Sequence, residues 1–367
     1  MKFPANKILL IATRQIGDVL LVTPLLHSLR QAYPTAIIDV LVYENKGGML
    51  IGNPDYNQLI SVAEHPNIKQ YFSLLKRIFR RYDLAISTLA GDRPLIYALL
   101  AAPQRIAIVP KKRWQDQWKR LISQAWCELD NENTHTVIQN LQLADLLEIN
   151  KHYSIILPNS PNTKEKLDQI LPFSWQTQAF AVLHLLPMWQ YKRWHGFAEM
   201  SHYLTQNGLQ VILTGGNDPQ ELAYISAIKE KMSETTISVA GKLNFGEITT
   251  LLKQAKIFIG PDTAVTHLAA ATGTPTVAVY GPTNPLKWSP WPHDYAKDQT
   301  PFIARGHQKV DNVMIIQGIG DCVPCHQEGC DRHKQSHSLC LERLDSTTVI
   351  TKIEHWLLDK KHDWHSI

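Results

Sequence analysis

The sequence predicts an α/β protein made of two Rossmann-like domains, each with a parallel sheet. Three observations carry this reading. Short apolar runs alternate with helix-length segments, the alternation runs through one half and then again through the other, and a Pro- and Asn-rich stretch separates the two series. The 367 residues are enough for two ordinary cores. Hydrophobic residues at 44% and charged residues at 19% fit a folded globular chain. The net charge of +4 favours phosphorylated or acidic partners, but lacks the heavy, clustered basic charge of a nucleic-acid binder.

In the N-terminal half the predicted strands are Ile8 to Ala12, Ile37 to Val42, Leu84 to Ser87 and Arg105 to Val109. The first runs into Arg14-Gln15-Ile16-Gly17-Asp18, at the carboxyl end of a strand, where open parallel sheets collect ligands. The helix that follows sets Leu21, Val22, Leu25, Leu26 and Leu29 on one buried stripe, with Pro24 bending it or marking a late start. Asp18 has two readings there, an N-cap or a carboxylate able to take a proton from a substrate hydroxyl. Only Gly17 stands where a G-x-G-x-x-G fingerprint is needed, so an NAD-dependent oxidoreductase is disfavoured. Two stretches, Lys69 to Tyr82 and Lys111 to Arg120, interleave aromatic and basic residues; they suit either an anionic membrane surface or ordinary amphipathic helices. No run approaches the roughly 18 apolar residues of a membrane span, and the N-terminus lacks a secretory pattern, so a cytoplasmic protein is expected.

Leu157 to Thr163 reads as the linker, giving domains 1–165 and 166–345 with a last segment, 346–367, expected to pack back on the N-terminal domain. The C-terminal strands are Ala179 to Leu185, Gln210 to Thr214, Ile257 to Gly260 and Thr276 to Tyr280. Between the last two lies the most informative run, Gly260-Pro261-Asp262-Thr263 followed by an alanine-rich helix that stops at Gly273. A capped helix start offers free N–H groups and a positive dipole end, which suit phosphate. Thr263 and His267, one turn apart, can face one ligand. Gly215-Gly216-Asn217-Asp218 ends another strand, and Glu221 opens the next helix, either as a ribose contact or as a solvent-facing first-turn acid.

Three segments together resemble the bacterial lipopolysaccharide heptosyltransferases, glycosyltransferase family 9: Ile8 to Pro24 with Ile-Gly-Asp-Val; His184 to Phe197 with Lys192-Arg193-Trp194; and Gly260 to Pro285 with Pro-Asp-Thr-Ala-Val-Thr-His and Tyr-Gly-Pro-Thr-Asn-Pro. The resemblance implies a GT-B fold, with the two sheets facing across a cleft, and inverting, metal-independent transfer of heptose from ADP-heptose to the lipopolysaccharide core, at the cytoplasmic face of the inner membrane and without nucleic acid. It implies Asp18 as base and Lys192 as phosphate contact, with Asp262, Thr263, Ala264, His267, Gly215 and Glu221 around the donor. The acceptor falls to the N-terminal half, where Arg14, Arg93 and Arg105 could meet an acidic sugar or a phosphate. Two departures stand out: Ala264 replaces the family's common glycine, and Leu186-Pro187-Met188-Trp189 is bulkier than the small or hydroxylated residues usual there. Transfer of another sugar by the same fold, or a non-catalytic nucleotide-binding protein, are the alternatives.

Four of the five cysteines cluster late, as Cys322-x2-Cys325-x4-Cys330-x9-Cys340, with His326, His333 and His337 among them. The ligand types suit a structural zinc site, but the later spacings match no standard ribbon, and free thiols are the competing reading in a reducing compartment.

Overall fold

Nearly continuous apolar runs such as Ile8-Leu9-Leu10-Ile11 and Phe180-Ala181-Val182-Leu183 leave both faces of a strand to be covered, so they build parallel sheets with helices on either side. The computed structural model describes residues 3–111 and 114–359. Lys112 and Arg113 of the second basic-aromatic stretch, and residues 360–367 of the last segment, lie outside the described residues.

The first unit spans residues 1–158 with 294–300, and the second spans 159–293 with 301–367. In the first, β1 (Lys7–Ile11), β2 (Ile37–Tyr43), β3 (Gln58–Val62), β4 (Leu84–Ser87), β5 (Gln104–Val109) and β6 (Ala125–Glu128) form an all-parallel sheet in the order β3-β2-β1-β4-β5-β6. In the second, β7 (Phe180–His184), β8 (Gln210–Thr214), β9 (Ile237–Ser238), β10 (Ile257–Pro261), β11 (Thr276–Tyr280), β12 (Gln308–Val310) and β13 (Val313–Gln317) follow the order β12-β13-β11-β10-β7-β8-β9. Only β12 is antiparallel, as the edge partner of β13. Without that edge, the two sheets share one strand order. In each, the order reverses beside the first strand, between β1 and β4 and between β7 and β10, and the loops leaving these strands are where a doubly wound sheet binds ligands.

Each unit buries its own core. Leu9, Ile11, Ile60, Leu74, Ile78 and Tyr97 meet in the first, and Leu183, Trp194, Met200, Ile259, Val277 and Ile316 in the second. The predicted helix after β1 divides into Ile16–Leu20 and Thr23–Ala32, and Pro24 sits in the first turn of the second piece, where its missing N–H costs nothing.

Two domain expectations are corrected. The boundary falls at Pro158/Asn159 rather than at 165, because Ser160 donates to Asn244 at 2.8 Å and Lys166 pairs with Glu247 at 2.8 Å, tying this stretch to the second unit. The final helix, Ser346–Asp359, belongs to the second unit: Val349, Ile353 and Trp356 are buried in the core that also holds Trp194. The Trp194 indole N–H donates to the Leu344 carbonyl at 2.8 Å, fixing the lead-in to this helix.

Candidate active site

The loops after β7 and β10 meet at the switch point of the second unit. β10 delivers Asp262, and the turn after β7 carries Lys192, whose ammonium forms a hydrogen-bonded ion pair with the Asp262 carboxylate. Burial alone pulls the Asp262 carboxyl upward, but Lys192, His267 and the Thr283 hydroxyl together outweigh it and hold the group below the usual carboxylate range. Burial and the nearby Asp262 charge push the Tyr280 hydroxyl well above its ordinary value, so it remains neutral beside that carboxylate, and it donates to the Trp288 carbonyl at 2.7 Å. Lys192 also lies 4.9 Å from the centre of the Trp189 ring, which stacks on Tyr191 with ring centres 5.9 Å apart. Trp189, the last residue of the bulky Leu186–Trp189 stretch, thus forms with Tyr191 the aromatic wall of the lysine.

The helix Ala264–Ala271 begins two residues after Asp262. Thr263, extended at φ −143°, caps it by accepting from the Thr266 amide at 3.3 Å, so the cap is Thr263 and not Asp262. Intrahelical bonding starts only where the His267 amide donates to the Thr263 carbonyl, which leaves the Ala264 and Val265 amides without an intrahelical acceptor. Thr263 and Ala264 are half-buried at that tip while Val265 to Ala271 are buried, so the N-terminus is the accessible end of an otherwise enclosed helix. A cation, a hydrogen-bonded carboxylate and a positive dipole end converge there.

The Gly-Gly turn after β8 is held from the next helix. The Gly216 amide donates to the Glu221 carboxylate at 2.8 Å, and Asp218 caps the helix Pro219–Lys229. A methyl group on Gly216 would lie 2.6 Å from Glu221 Oε2, and one on Gly215 would lie 2.3 Å from the Ile225 side chain. Gly215 therefore serves close packing, and Glu221 is occupied with the turn rather than being a free surface acid.

In the first unit, Asp18 is the third residue of the helix Ile16–Leu20 and Gln15 takes the cap position, which corrects the N-cap reading of Asp18. Its carboxylate lies 3.8 Å from Arg14 Nε. Gln15 donates to the Glu64 carboxylate at 3.2 Å, and Arg93, in the helix after β4, donates to the Glu64 backbone carbonyl. Asp18, Arg14 and Arg93 thus all belong to loops or helix starts at the β1/β4 switch point. Arg105 does not. It lies at the amino end of β5, and its guanidinium is spent on the carbonyls of Ile122, Ala102 and Pro103, the last two at 2.8 and 2.9 Å. Its expected acceptor contact is replaced by an internal brace.

Cys322, Cys325, Cys330 and Cys340 are free thiols, and among the described residues no three His, Cys, Asp or Glu side chains are grouped to hold a metal ion. The segment instead supports the lysine loop: the Gln190 amide donates to the Lys334 carbonyl at 3.1 Å, and the buried Ser338 hydroxyl donates to the Tyr191 carbonyl at 2.6 Å. Sequence reasoning missed this strap, along with Thr283 and Tyr280 beside Asp262. The last two lie inside the Tyr-Gly-Pro-Thr-Asn-Pro motif, which was the available signal.

Two Rossmann-like units of one strand order, one with a cationic, phosphate-suited switch point and the other with a carboxylate at the equivalent place, define a GT-B glycosyltransferase. The chain belongs to glycosyltransferase family 9 (heptosyltransferase), whose family profile matches residues 71–301. It is 30% identical over 308 residues to lipopolysaccharide heptosyltransferase 3 of Escherichia coli K12, covering 81% of this chain and 88% of that protein. Among solved structures it is similar to a family 9 glycosyltransferase from Veillonella parvula (TM-score 0.76, 19% identity, 98% of this chain and 99% of that one). It is similar as well to E. coli ADP-heptose lps heptosyltransferase II (TM-score 0.70, 20% identity, 97% and 99%) and to E. coli heptosyltransferase WaaC with ADP (TM-score 0.68, 18% identity, 95% and 99%).

Proposed function

We propose that this chain is an inverting glycosyltransferase that moves a heptose from ADP-L-glycero-D-manno-heptose to the inner core of lipopolysaccharide, at the cytoplasmic face of the membrane that anchors the acceptor. The observation that carries the reading is the Lys192–Asp262 pair at the open start of the helix Ala264–Ala271. The relatives support the sugar and the acceptor through the names they bear, lipopolysaccharide heptosyltransferase 3 in one case and ADP-heptose lps heptosyltransferase II in another.

In this scheme the donor diphosphate lies at the tip formed by Thr263 and Ala264, with His267 one turn behind. Lys192 shifts its hydrogen bonding from Asp262 toward the departing phosphate, where negative charge grows as the anomeric C–O bond breaks. Asp262 keeps the ammonium positioned until then. Glu221, by fixing the Gly215-Gly216 turn, shapes the wall beside the nucleotide. Asp18 accepts the proton of the acceptor hydroxyl as its oxygen bonds to the anomeric carbon from the opposite face, and ADP leaves with the electron pair. Arg14 and Arg93 provide positive charge for anionic groups on the acceptor. The helix dipole and Lys192 carry the phosphate charge, so no step calls for a divalent cation.

The test is a donor screen on truncated lipopolysaccharide acceptors, read by product mass, with wild type beside Asp18→Asn. Heptose addition by wild type, a rate lowered about 10²- to 10⁴-fold in the variant and unchanged ADP-heptose affinity are expected. Transfer from a different nucleotide sugar would replace the donor assignment, and full turnover by Asp18→Asn would remove Asp18 as base.

A further inference from the structure

The helix Ile68–Ile78, between β3 and β4, turns only Leu74 and Ile78 fully into the core. Its outer stripe is apolar at an end where solvent should select polar residues: Ile68 is 74% exposed and Phe72, one turn on, is 62% exposed. Phe79, at the C-cap, is 52% exposed, with the Arg80 guanidinium 5.7 Å from its ring centre. Lys69, Lys76, Arg77, Arg80 and Arg81 are exposed on the same stretch, and no acidic residue occurs between Glu64 and Asp83. Among the described residues none of these cations enters an ion pair, so their charge is available to an external partner. The helix is pinned in place by a capping box, with Asn67 accepting from the Gln70 amide at 3.0 Å and Gln70 from the Asn67 amide at 2.8 Å. Apolar side chains set among unneutralised cations along a helix about 16 Å long match the interface of an anionic bilayer, acyl boundary below and headgroups around.

Location points the same way. Four residues before Ile68 stands Glu64, which receives hydrogen bonds from Gln15 and Arg93 beside the Asp18 turn. The helix thus follows directly in the chain on a residue of the proposed acceptor half-site, where an acceptor whose lipid end remains in the membrane must approach. We infer that the Ile68–Arg81 surface is a docking face for an anionic lipid bilayer, with Ile68, Phe72 and Phe79 entering the interface and Lys69, Lys76, Arg77 and Arg80 contacting headgroups. This rests on the proposed lipid-anchored acceptor for its purpose, but not for its measurement.

The test is flotation of the full-length protein with vesicles of phosphatidylcholine alone or with one third phosphatidylglycerol, without lipopolysaccharide. Wild type is expected to float with the anionic vesicles and to release as salt rises; each cation near the surface is worth about fivefold in partitioning. Phe72→Ser/Phe79→Ser should weaken binding at least tenfold, and Lys76→Glu/Arg77→Glu should abolish the anionic preference. Both should bind ADP-heptose and glycosylate a detergent-free, deacylated core oligosaccharide like wild type. Wild-type flotation equal on both vesicle types, or variants that float unchanged, would overturn the inference. A concentration-dependent dimer, seen by light scattering and lost in Phe72→Ser/Phe79→Ser, would assign the face to a second copy and overturn it equally. Vesicle binding without any heptose transfer would instead sink the proposed function and leave the docking face standing.

Discussion

Lys192 and Asp262 are each other's condition for being buried. The ammonium offsets the cost of enclosing the carboxylate, and the carboxylate holds the ammonium at the helix tip. Removing one partner strands the other, which typically costs about 3–5 kcal/mol, whereas removing both charges together is far milder. Lys192→Ala should therefore destabilise the fold strongly in urea titrations, and Lys192→Ala/Asp262→Asn should regain most of that loss. Transfer should not be regained, because the proposed phosphate contact is gone in both; a drop of about 10²- to 10³-fold is expected. A double variant no more stable than the single one would show that the pair is not the electrostatic unit described. Asp262 was legible in the sequence, since a strand end followed by Asp-Thr and an alanine-rich helix carries its own geometry, whereas Lys192 was reached only through the family resemblance. Arg105 was not legible. One arginine opens a strand and another follows one, and local sequence does not say that the first meets only backbone carbonyls at the far end of the sheet.

At the scale of elements, eight strands could be read from their apolar runs, but the pairing of the others could not. β3 and β6 expose every second or third residue, and β9 is two residues long; such edge strands exist because a neighbour is already in place. β13 is fully buried, and its turn at Asp311, φ 50°, was a usable hairpin signal that a search for parallel units passes over. The strap from the cysteine-rich segment to the lysine loop is of the same kind, invisible in sequence because 147 positions separate Ser338 from Tyr191. Its contribution can be measured. Ser338→Ala leaves the Tyr191 carbonyl without this donor and should cost about 1 kcal/mol of stability. The loop it releases carries Lys192, so ADP affinity by calorimetry should fall severalfold; an unchanged affinity would show that the loop stands without the strap.

The whole molecule repeats one sheet order twice, and the two copies differ in what their switch points bury. The second unit encloses His184 at the end of β7, bonded to the Thr214 hydroxyl at 3.0 Å, and burial pushes its pKa down from 6.5 to about 4, against weaker opposing hydrogen bonds to the backbone at Leu186 and Thr214. The folded form then refuses a proton that the unfolded form accepts. Its stabilising effect is complete above pH 6.5 and is lost as pH falls toward 4, amounting to about 3 kcal/mol across that window. His307, lowered by burial and by Lys352, acts in the same direction, while Asp262 loses its own contribution only at still lower pH. Hydrogen exchange of peptides from β7, β10 and β11 should therefore quicken between pH 6.5 and 4, after correction for intrinsic rates, and His184→Asn should flatten most of that slope. ADP-heptose at 100 times its dissociation constant should protect the same peptides by about 2.7 kcal/mol at pH 7. Peptides from β1 and β4 should follow neither change directly, since the proposed donor tip and His184 both belong to the second unit. Equal acid sensitivity of both sheets, or donor protection confined to β1 and β4, would place the donor and the titrating histidine elsewhere in the chain.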